Sequence, residues 1–262
     1  MILDEIVRVK RAEIEKRRAR IPLNEFRVRA ENAPPAKNFA AALRATERVA
    51  LIAEIKPASP SRGILPTAVP PVARARAYAR GGAAAISVLT DRKFFNGAPN
   101  NIKAARVGAD LPLLRKDFII DEYQIYETRA LGADALLLIV RILDDAQLRA
   151  YLLLAQALEM AALVEIHDER ELERALAADA KIIGINNRNL ADFTLDLEYT
   201  AELAPKIPRD KICVSESGIF TRADVEFVAR AGATATLVGE ALMRAESIEE
   251  KARELASVKR KT

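Results

Sequence analysis

Short apolar runs recur along most of the chain, and most end in polar or charged residues. They are Val49 to Ile55, then Lys56; Ala84 to Leu89, then Thr90 and Asp91; Leu111 to Leu114, then Arg115, Lys116 and Asp117; and Ala135 to Val140, then Arg141. Ala161 to Val164 leads into Glu165 and His167, and Lys181 to Ile185 into Asn186, Asn187 and Arg188. Lys211 to Val214 leads into Ser215, Glu216, Ser217 and Gly218, and Ala235 to Val238 into Gly239 and Glu240. Such runs read as buried strands. Between them lie helical stretches such as Asp121 to Ala130, Asp144 to Met160, Arg170 to Ala177 and Thr221 to Ala231. Strands alternating with helices at spacings of roughly 20 to 35 residues predict βα units and a parallel sheet.

A short repeat supports this reading. Gly82-Ala83, Gly108-Ala109-Asp110, Gly132-Ala133-Asp134 and Gly232-Ala233 each end a helix and lead into a strand. Glycine there suits the left-handed residue that follows a helix, and the small alanine lets helix and sheet approach closely. Eight units in 262 residues match a closed (β/α)8 TIM barrel, typically about 250 residues long. A doubly wound open sheet ranks lower, because no Gly-x-Gly-x-x-Gly follows the first strand.

Residues 1–45 stand outside the pattern. Ile2, Leu3, Ile6, Val7 and Ile14 recur at helical spacing, and Pro22 limits that helix. Asn32-Ala33-Pro34-Pro35 reads as a turn, and Asn38 as the cap of a short helix through Leu43. The segment is too short to be an independent domain. It is expected to be a helical extension docked through Leu23, Phe26 and Phe39 on a barrel of residues 46–262, the whole forming one domain.

In a barrel of this kind the C-terminal strand ends share one mouth. Ile52, Glu54 and Lys56 lie on one face of the first strand. A carboxylate and an ammonium at the end of a buried strand are costly unless paired or used. A structural ion pair would account for one such end; recurrence along the chain argues for use. The strand ends bring together Glu54, Lys56, Lys116, Glu165, Asn186, Arg188 and Glu216, a mixture able to do acid–base work. Ser217, Gly218, Gly239 and Glu240, at the ends of the last two strands, lie where barrels commonly hold phosphate on backbone N–H groups. Ser59 is placed to add a hydroxyl. A single histidine, His167, without a surrounding carboxylate–histidine cluster, does not suggest a metal site. His167 shares strand parity with Glu165 but reads more naturally as a satisfied or surface side chain.

Composition narrows the classes further. The chain is 50% hydrophobic, enough for a large core. No apolar run reaches the length of a membrane span, and no signal peptide is apparent. The lone cysteine, Cys213, lies inside an apolar strand and reads as a small hydrophobe, consistent with a reducing cytoplasm. The net charge of +4 raises nucleic acid as a partner. Acids are interleaved with the basic residues, however, tryptophan is absent and aromatics are only 5%, so a base-stacking platform is not expected. A mild positive field suits an anionic small substrate.

In combination and order, several segments resemble the indole-3-glycerol phosphate synthase family over nearly the whole chain. They are Ala53-Glu54-Ile55-Lys56 with Ser59-Pro60-Ser61, Leu89-Thr90-Asp91 with Phe94-Phe95-Asn96-Gly97, and Arg115-Lys116-Asp117-Phe118. Further on come Val164-Glu165-Ile166-His167, Gly184-Ile185-Asn186-Asn187-Arg188-Asn189-Leu190 and Ser215-Glu216-Ser217-Gly218-Ile219. An N-terminal extension is also a feature of this family. Gly97-Ala98-Pro99-Asn100 departs from it, since the family more often has serine after that glycine and an acid two residues on.

The resemblance implies ring closure of an anthranilate-substituted ketose phosphate, 1-(2-carboxyphenylamino)-1-deoxyribulose 5-phosphate, with loss of carbon dioxide and water. It implies Lys116 as general acid at the ketone, Glu165 as principal base or acid in dehydration, and Lys56 as anion partner and second acid. Glu54 would orient the lysines, and Asn186 and Arg188 would hold the hydroxyl and anthranilate ends. Phe95, Phe118, Leu137 and Leu190 are candidates for an apolar slot around the ring. Ser59, Glu216, Ser217, Gly218, Gly239 and Glu240 complete the substrate-binding set, most of them at the phosphate. No cofactor is expected, because no external electron sink is required. The expected partner is an anionic phosphorylated small molecule, with no nucleic acid or membrane, and the chain is expected to act as a monomer. Two other readings stand beside this one. Phosphoribosylanthranilate isomerase is disfavoured because its acid/base pair is commonly Cys and Asp, whereas the first strand ends in Glu54-Ile55-Lys56. A silent scaffold or RNA-binding protein is disfavoured by the joint presence of Lys56, Lys116, Glu165 and Asn186.

Overall fold

The computed structural model describes residues 2–59, 63–65, 69–189 and 192–260. Eight parallel strands close into a barrel: β1 (Ala50–Ile55), β2 (Ala85–Leu89), β3 (Leu113–Lys116), β4 (Ala135–Ile139), β5 (Ala161–Ile166), β6 (Ile182–Asn186), β7 (Ile212–Glu216) and β8 (Ala235–Val238). Each pairs with its sequence neighbour, and β1 closes on β8 through Ala50 opposite Ala235 and Ala53 opposite Val238. The barrel expected from the apolar runs is present.

Strand parity sorts two cores. Leu51, Ala53, Ile86, Val88, Leu136, Leu138, Val164 and Ile183 point outward into the shell of helices. Ile52, Leu114, Leu137, Leu163, Ile182, Val214 and Leu237 point inward and fill the barrel. The alternation of a pleated strand is the cause. It carries five of the eight inward rows upward to a polar residue, Glu54, Lys116, Glu165, Asn186 or Glu216, while those of β2, β4 and β8 lead to Leu89, Ile139 and Gly239.

Four strands run further than their apolar runs. β3 reaches Lys116, β5 reaches Ile166, β6 reaches Asn186 and β7 reaches Glu216. The polar ends belong to the strands because they have partners inside. Arg115, fully buried, faces outward and bonds Thr90, Thr128 and Asp117. Three of the four Gly-Ala glycines adopt positive φ: Gly82, Gly132 and Gly232. Gly108 does not. It is the last residue of its helix, and a side chain there would collide with the Val72 carbonyl and the Ala75 methyl. Close helix packing, not a left-handed turn, requires glycine at that position.

The N-terminal residues form three helices, α1 (Ile2–Arg18), α2 (Leu23–Glu31) and α3 (Phe39–Arg44). Pro22 caps α2, and the Asn38 side chain accepts a bond from Ala41 N at 2.8 Å, as its position suggested. Phe39 and Leu43 join the inward-facing core, and Arg44 bonds the Asp210 carbonyl before β7, so α3 stops the N-terminal end of the barrel. Phe26 of α2 stacks edge-on against Tyr123 at 5.1 Å, with Leu23 packed beside them. α1 lies at the opposite end, where Leu3 and Ile6 join the core beside Phe118.

A buried ion cluster holds α1 there. Lys10 Nζ lies 2.7 Å from Asp91 Oδ2, 2.9 Å from Asp117 Oδ1 and 3.0 Å from Glu13 Oε2. Burial works against the Lys10 charge, but Asp117 and Asp91 outweigh it and hold the amine above its ordinary value. Asp117 is buried as well, yet Lys10 and Arg115 hold its carboxyl well below the usual range. Lys10→Met should leave Asp91 buried without its cation and Asp117 with Arg115 alone. The expected cost is about 3–5 kcal/mol, the scale for removing one partner of a buried pair, measured as a lower denaturant midpoint with an unchanged slope. A loss under about 1 kcal/mol, the value of a surface pair, would show that the cluster does not hold the helix.

Candidate active site

Two adjoining clefts open at the C-terminal strand ends. The first, about 800 Å³, is largely apolar and is lined by Leu89, Phe95, Phe118, Leu137, Ile139 and Phe193, with Ile2, Leu3 and Ile6 of α1 as its remaining wall. The second, about 410 Å³, is lined by Ser217, Gly218, Gly239 and Glu240. Glu54, Lys56, Lys116, Arg188 and Ser217 border both. A row of charge therefore divides a greasy slot from a glycine-lined pocket.

Lys116 is the centre of that row. Its Nζ donates to Glu216 Oε2 at 2.7 Å and lies 3.6 Å from Glu165 Oε2 and 4.0 Å from Glu54 Oε2. Burial penalises the ammonium, but Glu216, Glu165 and Glu54 together raise its pKa well above that of an ordinary lysine. Glu216 is fully buried. Desolvation pushes its carboxyl up to about 7, against the pull of Lys116, with Glu165 adding to the rise. Lys56 is affected in the opposite direction. Burial lowers its pKa, and the partial compensation from Glu54, 3.7 Å away, is offset by Lys116 and Arg188. The two lysines of one mouth thus differ: Lys116 holds its proton firmly, and Lys56 releases its proton more readily.

Orientation comes from neutral groups. Asn186 Nδ2 donates to Glu165 Oε1 at 3.1 Å, and Asn186 Oδ1 accepts from Arg188 N at 3.1 Å. The Arg188 guanidinium donates to the Phe193 carbonyl at 3.2 Å. Lys56 sits 5.7 Å above the Phe95 ring, which packs 5.9 Å from Phe118. Glu240, which lines the glycine-lined pocket, accepts from Arg244 Nε at 3.2 Å.

Nearly all the side chains expected at the mouth are found there. Leu190 lies outside the described residues, as do Pro60 and Ser61. Ser59 pairs in a two-residue ladder with Gly63, but its side chain is outside the description. Cys213 is buried, with its thiol pushed up to about 12 by desolvation, in keeping with a core role. Sequence reasoning missed the contribution of Ile2, Leu3 and Ile6, although their helical periodicity was visible. It also missed Asn187. That buried side chain donates to Ser215 Oγ, the Glu216 carbonyl and the Ser217 carbonyl, at 2.9, 3.0 and 3.1 Å. It secures a turn in which Ser217 and Gly218 both take positive φ.

Two glycines make room for carboxylates. A Cβ at Gly184 would collide with Glu216 Oε1, and one at Gly239 with Glu54 Oε1. Bulk at Gly239 would therefore displace Glu54 as well as obstruct the pocket.

Fold and site together define an acid–base enzyme built on a (β/α)8 barrel. The chain belongs to the indole-3-glycerol phosphate synthase family, whose model matches residues 3–255. It is 54% identical over 262 residues to indole-3-glycerol phosphate synthase of Roseiflexus sp. (strain RS-1), covering 97% of each chain. The same enzyme of Variovorax paradoxus (strain S110) is 50% identical over 251 residues, covering 93% of this chain and 94% of that one. Among solved structures, a 3-hexulose-6-phosphate synthase matches with a TM-score of 0.63 at 18% identity, over 79% of this chain and 98% of that one. At that identity the likeness concerns the fold alone.

Gly184→Ala should leave the barrel folded but force Glu216 off Lys116. Turnover is expected to fall at least about tenfold, by analogy with the large rate cost of small misplacements of catalytic groups. Steady-state kinetics beside a thermal melt would check this. Full activity with an unchanged melt would show that the Glu216–Lys116 contact is dispensable.

Proposed function

We propose that this mouth closes the indole ring of 1-(2-carboxyphenylamino)-1-deoxyribulose 5-phosphate, yielding indole-3-glycerol phosphate, carbon dioxide and water. Family membership supports the overall reaction. The observation that carries the assignment of roles is Lys116, an ammonium placed between an apolar slot and a glycine-lined pocket. The anthranilate ring lies in the slot between Phe95, Phe118 and Leu137. The phosphate takes the pocket at Ser217, Gly218 and Gly239, where backbone N–H groups can approach it closely.

The ring carbon bearing the carboxylate attacks the ketone, and Lys116 meets the developing oxyanion. Its raised pKa does not prevent transfer, because an alkoxide is more basic than a lysine amine. Carbon dioxide then leaves and aromaticity returns. Dehydration needs an acid for the departing hydroxyl and a base for a proton on the neighbouring carbon. Lys56, the more acidic lysine, suits the first task. Glu165, held by Asn186, suits the second. Glu54 and Glu216 keep the lysines in place, and Arg188 serves the substrate's anionic end. We assign the enzyme to the cytoplasm, a reading supported by its single buried thiol; no helix among the described residues is long and apolar enough to cross a membrane.

Lys116→Met should remain folded, since the neighbouring carboxylates can take up protons in place of the lost cation. Turnover should fall at least about a hundredfold, the usual scale for a positioned acid. Near-normal turnover at saturating substrate would refute the assignment of Lys116.

Glu165→Gln retains size and hydrogen bonding but cannot exchange a proton. It should bind substrate about as well as the parent and lose most of its turnover. Rapid-quench analysis should find carbon dioxide release less affected than indole formation. Lost affinity with preserved turnover would make Glu165 a binding group and pass the acid–base role to Glu54.

A further inference from the structure

His167 is the only histidine in the chain, and the steps above do not use it. It follows β5 directly, with its side chain only 5% exposed. Its backbone N donates to Glu171 Oε2 at 2.8 Å, and its ring Nδ1 lies 3.1 Å from the same oxygen. Glu171 Oε1 accepts from Arg141 Nε at 2.5 Å, and Arg141 also reaches Asp168. Burial works against the Glu171 charge, but His167 and Arg141 hold its pKa below the ordinary value. An ionised carboxylate only accepts hydrogen bonds, so Nδ1 carries the hydrogen of the neutral ring.

The other ring nitrogen then presents a lone pair. Nε2 is buried without a hydrogen-bond partner among the described residues, and it lies 3.5 Å from Glu165 Oε1. With a neutral ring and an ionised Glu165, two acceptors face each other with no proton between them, an arrangement that leaves a buried polar atom unsatisfied. One added proton would turn the contact into a hydrogen bond. The charged groups around this pair are Glu171 and Asp168 at the start of the following helix, Arg141 after β4, and Lys116 of β3 beyond Glu165.

We propose that His167 is a positioning residue that makes Glu165 a proton acceptor, the two side chains holding one proton between them. During dehydration the C–OH bond breaks and the hydroxyl leaves as water with a proton from Lys56, while the neighbouring C–H bond breaks, its electron pair forms the ring double bond, and its proton passes to Glu165. There it is shared between Oε1 and Nε2, while Glu171 and Arg141 fix the ring. The proton returns to water as product leaves. This inference rests on the reading of Glu165 as the base.

The test combines kinetics with 15N spectra of the imidazole, which need no assignment because there is one histidine. Gln at position 167 can still donate a hydrogen bond to Glu165 but cannot share its proton, so a purely structural role would survive the change. His167→Gln should lower kcat by about tenfold or more, less than a group acting on substrate itself, with KM within about threefold. In rapid quench, indole formation should slow while carbon dioxide release does not. The double variant Glu165→Gln with His167→Gln should be no slower than Glu165→Gln alone, as expected for groups acting as a unit. In the parent protein the neutral ring should carry its hydrogen on Nδ1, a result that stands even if the His167 variant fails to fold. A hydrogen on Nε2, additive losses, or an unchanged kcat in His167→Gln while Glu165→Gln is inactive would each overturn the proposal alone. Retained turnover in Glu165→Gln would overturn the reading of Glu165 and the proposal with it.

Discussion

One half-buried ammonium among three buried carboxylates is the constraint from which the mouth is built. Lys116 sits within 4.0 Å of Glu216, Glu165 and Glu54, all nearly or fully withdrawn from water. Ions of either sign are expensive to bury alone, and they become tolerable only as a set with good geometry. All four project inward from alternate strands, β1, β3, β5 and β7, by the alternation that also fills the barrel with Ile52, Leu114, Leu163 and Val214. Glycine at 184 and 239 leaves the space that Glu216 and Glu54 occupy. The same set drives the two lysines apart in acidity, because Lys116 collects the carboxylates and Lys56 is left beside Lys116 and Arg188.

The second requirement is a wall that the barrel does not supply. Its mouth is open on one side, and Ile2, Leu3 and Ile6 complete the apolar slot. α1 is held by Lys10, whose partner Asp117 is the residue after Lys116. The clamp thus joins the helix that shapes the slot to the strand that carries the central ammonium. Both apolar enclosure and charge then act on one substrate: the slot excludes water around the ring, and the lower dielectric strengthens each charged contact at its edge.

Local pattern made the barrel legible. Apolar runs, helical stretches and Gly-Ala punctuation are properties of neighbouring residues, and they survive in the folded chain as eight closed strands. The charged strand ends were legible for the same reason, since parity follows from counting by two. Partners were not. Nothing near Lys10 in the chain points to Asp91 or Asp117, and nothing near Gly184 points to Glu216. The apolar runs stop short of strand ends at Lys116, Ile166, Asn186 and Glu216, because a polar or charged side chain reads as the end of burial. Arg115, Glu165 and Glu216 remain inside because distant side chains satisfy them. Gly108 reads as a turn, although the contact that demands it comes from a neighbouring helix.

The central claim is that slot, ammonium cluster and glycine-lined pocket act together on one phosphorylated substrate. It is tested most directly by giving the purified protein 1-(2-carboxyphenylamino)-1-deoxyribulose 5-phosphate, and separately the same compound without its phosphate, and following indole fluorescence and released carbon dioxide. The account predicts indole fluorescence growing in step with carbon dioxide from the phosphorylated compound, and a much higher KM for the other. Folded protein that produces no indole, or that handles both compounds with equal KM, would contradict it.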